Sequence, residues 1–311
     1  MCVTCGCSDD AETKITNSQT GEVVAISHSH EGDRIHTLPD GTIISHSHHH
    51  ENHHSQHQHT LADGTVISHS HSHEAPHKTD REASELHAKM HGTTISLEQN
   101  ILAKNNLIAA QNRGWFKGRN ILALNLVSSP GAGKTTLLTR TITDLKNQLP
   151  IHVIEGDQET ANDAEKIKET GCKVVQINTG KGCHLEAEMV DKGLQKLNPP
   201  LNSVVMIENV GNLVCPALFD LGERAKVVIL SVTEGEDKPI KYPYMFQASD
   251  VMILTKIDLL PYVQFDVNRC MEYAKQVNPK IRIFQVSAIT GVGLESWYEW
   301  LLAEVPANVL A

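Results

Sequence analysis

Apolar residues are arranged in two different ways along this chain. From about residue 121 onward they come in short, nearly continuous runs: Ile121–Val127, His152–Ile154, Val174–Ile177, Val204–Ile207, Val227–Val232, Val251–Leu254 and Ile281–Val286. The intervening segments Thr135–Leu149, Ala161–Thr170, His184–Leu197, Val263–Val277 and Leu294–Leu302 read as helices. Strands buried on both faces give continuous apolar runs, and strands alternating with helices imply a parallel sheet covered on both sides. The fold class expected is therefore α/β, a doubly wound and mostly parallel sheet. Ser96 with Gln99 three residues on reads as a capping box that opens a helix through about Asn112.

The first ninety or so residues lack such runs, and composition explains why. Residues 1–91 hold 17 of the 19 His, 13 acids and 5 bases, whereas all 13 aromatics begin at Trp115. A segment so polar buries little apolar surface, so a His-rich region disordered without ligand is expected. It contains a repeat: the segment from His36, HTLPDGTIISHSH, returns from His59 as HTLADGTVISHSH, and a partial copy spans Gly21 to His30. The pairs Asp40-Gly41 and Asp63-Gly64 signal turns, so the flanking β-branched runs suit small hairpins too short to be stable alone. Three zones follow: a Cys motif over 1–10, a His-rich region over 11–92, and a globular domain over 93–311.

Charge and cysteine usage narrow the classes further. The formal charge of the 311 residues is −10, which argues against nucleic acid as a partner. No apolar run reaches the roughly 18 residues of a membrane span, and the first residues lack the basic flank and apolar stretch of a secretory signal. A cytoplasmic protein is expected, in which seven Cys read as metal or redox chemistry and not as a disulfide framework.

The strongest local motif is Ser128-Ser129-Pro130-Gly131-Ala132-Gly133-Lys134-Thr135-Thr136, which follows a strand and opens a helix. Its small residues let successive backbone N–H groups face one concavity, and the helix dipole adds positive potential for phosphates. Ser129, Gly131, Ala132, Gly133 and Thr136 would line that cradle; Lys134 would reach the β- and γ-phosphates and Thr135 would ligate Mg²⁺. Ser128 stands where the general pattern has its first Gly. Thr255-Lys256-Ile257-Asp258 resembles the guanine motif of GTPases, with Thr255 in place of Asn. The Asp258 carboxylate can accept from guanine N1–H and the N2 amino group, a pair adenine lacks, while Lys256 would lie over the base. Ser287-Ala288 resembles the second guanine loop. Glu208 and Asp157, at strand ends, would hold Mg²⁺ or position water, and Gly211 would sense the γ-phosphate. A turn or capping role is the alternative for each of these three acids.

Three sets of soft ligands accompany the nucleotide motif. Cys2, Cys5 and Cys7 can converge on one cation, with three sulfurs and one nitrogen suiting square-planar Ni²⁺ or tetrahedral Zn²⁺. If Met1 is removed, the α-amino group of Cys2 would supply the nitrogen. The His tract, with groups such as His46/His48/His49/His50 and His69/His71/His73, forms an imidazole reservoir whose metal affinity falls with pH. Cys183, His184 and Cys215 form a sparser set, and buried structural cysteine is the alternative there. Of the two His beyond the tract, His184 is the ligand candidate and His152 the structural one.

Taken together, the Cys2-x-x-Cys5-Gly6-Cys7 cluster, the Ser128–Thr135 loop, Glu155-Gly156-Asp157, Cys183-His184, Glu208-Asn209-Val210-Gly211-Asn212-Leu213-Val214-Cys215-Pro216 and Thr255-Lys256-Ile257-Asp258 resemble the hydrogenase nickel-incorporation GTPase family, often called HypB. The resemblance covers the Cys cluster and everything from Ser96 on. It implies a SIMIBI-like P-loop GTPase that hydrolyses GTP with Mg²⁺ and dimerises with GTP and metal. It implies delivery of Ni²⁺ to the large subunit of [NiFe] hydrogenase, with a small nickel- and zinc-binding accessory partner. It also strengthens Cys183, His184 and Cys215 as a Ni²⁺ or Zn²⁺ site. Nickel storage in the His tract is inferred from its chemistry alone. The competing readings are a nickel or zinc buffer whose GTPase is incidental, a related GTPase serving urease or a zinc enzyme, and an ATP-dependent kinase.

Overall fold

Each apolar run becomes a strand within one or two residues of the expected limits, except that the run His152–Ile154 extends three residues further, to Asp157. The computed structural model describes the backbone of residues 13–17, 23–26, 34–37, 43–46, 57–60, 66–69, 80–160 and 162–305, and the side chains of 99–160 and 162–305. The chain divides into two compact units, one formed by Met1–Ile26 with Thr93–Ala311 and the other by Ser27–Gly92.

In the larger unit, β1 (Thr13–Asn17) and β2 (Val23–Ile26) pair antiparallel. In the smaller, β3 (Arg34–Thr37) pairs with β4 (Ile43–His46) and β5 (His57–Thr60) with β6 (Val66–His69), both antiparallel. The hairpins suggested by the Asp-Gly repeats are thus the elements formed there. Cys2, Cys5 and Cys7 lie outside the described residues.

The globular part contains β7 (Leu122–Ser128), β8 (Ile151–Asp157), β9 (Lys173–Asn178), β10 (Val204–Glu208), β11 (Ala225–Ser231), β12 (Val251–Thr255) and β13 (Arg282–Gln285). The sheet order is β13-β12-β11-β7-β10-β8-β9-β1-β2. The pairs from β13 to β9 are all parallel, and β1 adds antiparallel to the β9 edge. Helices α1 (Asp80–Gly118), α2 (Lys134–Leu145), α3 (Asn162–Glu169), α4 (Ala187–Leu197), α5 (Lys238–Lys241), α6 (Pro243–Gln247), α7 (Val267–Val277) and α8 (Leu294–Glu304) complete the chain.

Packing explains the continuous runs. Along β7, Leu122, Leu124 and Leu126 join the core made by Leu137, Leu138 and Ile142 of α2 and Trp297 and Leu301 of α8. Ala123 joins a second core with Phe116 of α1 and Val190 and Leu194 of α4, and Val127 a third with Phe246 of α6 and Cys270 and Ala274 of α7. Both faces of the strand are therefore buried.

Helix limits differ more: α2 ends at Leu145 instead of Leu149, and α7 opens at Val267 instead of Val263. Ser96 lies inside α1, which starts at Asp80 and runs on to Gly118. The Ser-x-x-Gln pattern is only a local signal, and the preceding Glu-, Ala-, Leu-, Lys- and Met-containing segment carries the helix through it. Cys183 and His184 sit in the loop before α4, which opens at Ala187. The short helices α5 and α6 were absent from the pattern because each is about a single turn, with a Pro in its first two positions. Among the described residues no helix is long and apolar enough to cross a membrane.

Candidate functional site

Because the strands are parallel, the loops that leave their carboxyl ends meet on one side of the sheet. The β7 loop lies where the chain order reverses, between β10 and β11, the position at which doubly wound sheets bind ligands. Gly131 and Gly133 have φ of +76° and +90°, a region open to glycine and costly for other residues. Gly133 is the N-cap of α2, so the loop closes onto a helix N-terminus.

The charged groups around that loop are already engaged with one another. Glu208, 1% exposed at the end of β10, accepts from Lys134 Nζ at 3.0 Å and from Thr135 Oγ1 at 2.7 Å through its Oε1. Its Oε2 is buried with no hydrogen-bond partner. A buried carboxylate oxygen left unpaired beside a threonine hydroxyl fits a divalent cation, since an orphaned acceptor is otherwise costly. Asp157 accepts from Thr160 N at 2.9 Å and Thr160 Oγ1 at 2.6 Å. Burial pushes its carboxyl up, but these hydrogen bonds outweigh it and leave the group below the usual range. Gly211 packs against the P-loop, where a Cβ would come within 3.1 Å of Pro130 Cα.

The residues of the expected guanine motif brace the same loop. Thr255 Oγ1 donates to Ala132 O at 2.6 Å, so the residue that stands in place of Asn holds the phosphate cradle in shape. Lys256 adopts φ of +59° and its Nζ donates to Gly131 O at 2.8 Å, which lays its stem across the cradle. Asp258 is the second residue of the short helical turn Ile257–Tyr262 just beyond and is half-buried. Ser287 is buried and its Oγ accepts from Thr290 N, while Ala288 O accepts from Arg140 Nη1 at 2.9 Å. Arg140 thereby ties α2 to the Ser287-Ala288 loop.

The second cluster lies at the far end of the Glu208–Cys215 segment. One donor atom from each of Cys183, His184 and Cys215 falls within a 4.8 Å group, with Cys183 Sγ 3.1 Å from Cys215 Sγ and 3.7 Å from His184 Nδ1. Among the described residues this is the one group of three or more His, Cys, Asp or Glu side chains that could hold a metal ion. His184 is 5% exposed, with the Phe219 ring 4.0 Å from its own. Burial pushes it down to about 4, which keeps the imidazole in its neutral, ligand-competent form at pH 7. Burial pushes His152 down as well, and neither of its ring nitrogens has a hydrogen-bond partner; what it lacks is a place in the one potential metal-holding group among the described residues.

Several site-shaping residues had no role assigned from the sequence, although Glu155 and Asn209 stand within its motifs. Glu155 is 2% exposed, has an unpartnered Oε2, and is pushed up to about 9, first by burial and then by Glu208 and Asp157. An acid inside an apolar strand was the available signal. Asn125, Asn209, Glu223 and Lys226 form a buried polar cluster behind both sites. Of these, Asn125 stands in the middle of an apolar run and Asn209 within the motif that begins at Glu208.

Known proteins share this arrangement. The family described as CobW/HypB/UreG, nucleotide-binding domain, matches residues 122–285. The hydrogenase maturation factor HypB of Rhizobium leguminosarum bv. viciae is 59% identical over 207 residues, covering 67% of this chain and 69% of that protein. The chain belongs to the HypB family. The crystal structure of hydrogenase maturation factor HypB from Archaeoglobus fulgidus superposes with a TM-score of 0.62 at 37% identity, covering 66% of this chain and 100% of that one. The structure of HypB from Helicobacter pylori in complex with nickel gives a TM-score of 0.61 at 36% identity, covering 67% and 98%. The family is one of P-loop GTPases, and residues 122–285, which match its nucleotide-binding domain, contain the parallel sheet and, Ser287-Ala288 apart, the loops described above.

Proposed function

We propose that this chain is a GTP-hydrolysing nickel metallochaperone that delivers Ni²⁺ during [NiFe] hydrogenase maturation in the cytoplasm. One observation carries the reading: a single segment, Glu208–Cys215, has its first residue hydrogen-bonded to Lys134 and Thr135 and its last in the Cys183/His184/Cys215 set. Family membership and the nickel-bound relative support it.

Lys134, the cradle N–H groups from Ser129 to Thr136 and the α2 N-terminus would bind the phosphates and neutralise charge that develops as the γ-phosphoryl leaves. Glu208 and Thr135, with Asp157 nearby, would hold Mg²⁺, which supplies charge neutralisation on the phosphate oxygens when bound. Lys134 exchanges its contact with Glu208 for the phosphates. Asp157 orients a water for in-line attack, and Gly211 offers its N–H to the γ-phosphate. Asp258 and Lys256 with Ser287 and Ala288 select guanine. Nickel is the cargo: Cys183, His184 and Cys215 hold it, and a second copy of the chain completes the coordination sphere in a GTP- and metal-dependent homodimer. Cys2, Cys5 and Cys7 form a further Ni²⁺ or Zn²⁺ site, and the His tract stores nickel. The outgoing partners are a small nickel- and zinc-binding accessory protein and the hydrogenase large subunit.

The deciding experiment is complementation of a hydrogenase-deficient strain that lacks its own copy. The full chain restores hydrogenase activity; the Lys134→Ala variant does not, and normal activity with it would sink the mechanism. Deletion of residues 11–91 separates delivery from buffering: a delivery GTPase still matures hydrogenase when nickel is plentiful, whereas a buffer loses its effect.

A further inference from the structure

The segment after β10 alternates its contacts between the two sites. Glu208 faces Lys134 and Thr135, and Gly211 abuts Pro130 of the cradle. The residues between and after them face the other way. Asn209, 1% exposed, accepts from Leu185 N at 3.0 Å, next to His184, and also from Val210 N at 3.0 Å. Asn212 Nδ2 donates to Cys183 O at 3.3 Å.

Asn209 also reaches Cys215 from behind the sheet. Its Nδ2 donates to Asn125 Oδ1 at 3.2 Å, and Asn125 Nδ2 donates to Glu223 Oε1 at 3.0 Å. Glu223 lies 3.8 Å from Lys226 Nζ, and that buried ammonium donates to Pro216 O at 2.7 Å and Phe219 O at 3.3 Å. Pro216 follows Cys215, and Phe219 packs on His184. One amide therefore has a route to both halves of the metal set, through hydrogen bonds and one buried ion pair, from a position adjacent to the acid of the nucleotide site.

We propose that Asn209 is the positioning residue that transmits nucleotide state to the Cys183/His184/Cys215 set, with Asn212 as a second tie. Resting on the nickel reading above, it names the groups that make cargo affinity depend on nucleotide. When a bound phosphate rearranges Glu208 and Gly211, the backbone at Asn209 and Asn212 is carried with them. A side chain that accepts two N–H groups and donates a third bond in a buried site cannot turn independently without orphaning one of them. The Leu185 and Cys183 backbones follow, and the distance between the two thiolates and the imidazole changes. Such coupling is reciprocal: nickel shifts the affinity for a GTP analogue by the same factor that the analogue shifts nickel affinity.

The test uses the full chain with Cys2, Cys5 and Cys7 replaced by Ser. Nickel at Cys183 and Cys215 is then read by thiolate-to-nickel charge-transfer absorption, which imidazole sites lack. Nickel affinity is measured with GDP and Mg²⁺, and again with a non-hydrolysable GTP analogue and Mg²⁺. The parent is expected to differ by about tenfold between the two states. In Asn209→Ala the ratio collapses toward one while nickel still binds in both; a merely structural role would weaken both states equally and keep the ratio. Should Asn209→Ala fail to fold, Asn212→Ala, which lies on the half-buried outer part of the loop, lowers the ratio instead. A folded variant that keeps the parent ratio overturns the proposal, as does a parent ratio of one. Absence of the absorption in the parent overturns the nickel reading of the set as well.

Discussion

The nucleotide site and the cysteine–histidine set share one short segment but are built from opposite materials. At the first, charge meets charge: the Lys134 ammonium, the Glu208 carboxylate and a glycine loop of backbone dipoles, 3.0 Å apart at the salt bridge. At the second, the ligands are soft, and a neutral imidazole lies against the Phe219 ring. Charge acts over several ångströms and tolerates small displacements, whereas a metal–sulfur bond is formed or lost within tenths of one. A small movement of Glu208–Cys215 is therefore a minor event at the phosphate end and a large one at the sulfur end. That asymmetry suits a switch whose energy enters at one end and whose cargo leaves from the other.

The comparison can be broken most forcefully at Lys134. Lys134→Ala is expected to lower kcat/KM for GTP about 10³-fold, about 4 kcal/mol, while nickel–thiolate absorption at Cys183 and Cys215 persists. Steady-state phosphate release and the absorption spectrum read the two halves separately, and joint loss would mean that the sites are not separable.

Next in size is acid–base behaviour, best seen by chemical denaturation of nucleotide-free, chelator-treated protein. Burial first, then Glu208 and Asp157, raise Glu155 from the usual 4.5 to about 9, so the folded chain binds more protons than the unfolded one between those values. Its contribution is present below 4.5 and is lost as pH rises, costing about 3 kcal/mol at pH 7. His184 has the opposite sign: burial lowers it to about 4, so its contribution is present above about 6.5 and is lost as pH falls toward 4. The two offset each other between roughly 4.5 and 6.5, and above that stability falls with pH. Glu155→Gln removes the falling limb; a limb unchanged by that variant would put the titrating group elsewhere.

A comparable effect on specificity is expected at Asp258. Asp258→Ala narrows the preference for GTP over ATP roughly 100-fold, read by competition binding, because the lost carboxylate is the group adenine cannot satisfy. The smallest effect belongs to Gly211. Gly211→Ala brings a Cβ to 3.1 Å from Pro130, a tight contact that displaces the segment from the cradle. GTP-analogue affinity falls a few-fold, about 1 kcal/mol, and calorimetry on the purified variant measures it.

Much of this was legible in the chain. The seven apolar runs became the seven parallel strands because continuous burial on both faces leaves no other pattern. The P-loop was legible because its function depends on backbone shape, which glycine spacing records directly. Helix limits were less legible: the capping box at Ser96 is a short-range signal, and α1 overrides it over Asp80–Gly118. The Cys183/His184/Cys215 set was visible only as three soft residues with a gap in sequence; Asn209 stood in a motif without a role of its own, and Glu223 and Lys226 were not visible at all. The bonds of these three join residues far apart in the chain, and a Glu or Lys outside a motif carries no periodic or spacing signal.

By itself the sequence determined the alternation of strand and helix, the phosphate cradle, the guanine motif and the stock of soft ligands. Each of these depends on local spacing or local backbone freedom, and both are written residue by residue. Only the tertiary structure decided that Thr255 and Lys256 brace the cradle, that Glu208 keeps one orphaned oxygen, and that two sulfurs and an imidazole from separate loops converge. Those outcomes come from parallel strands delivering distant loops to one edge of the sheet, where burial forces every polar group to find a partner or be left without one.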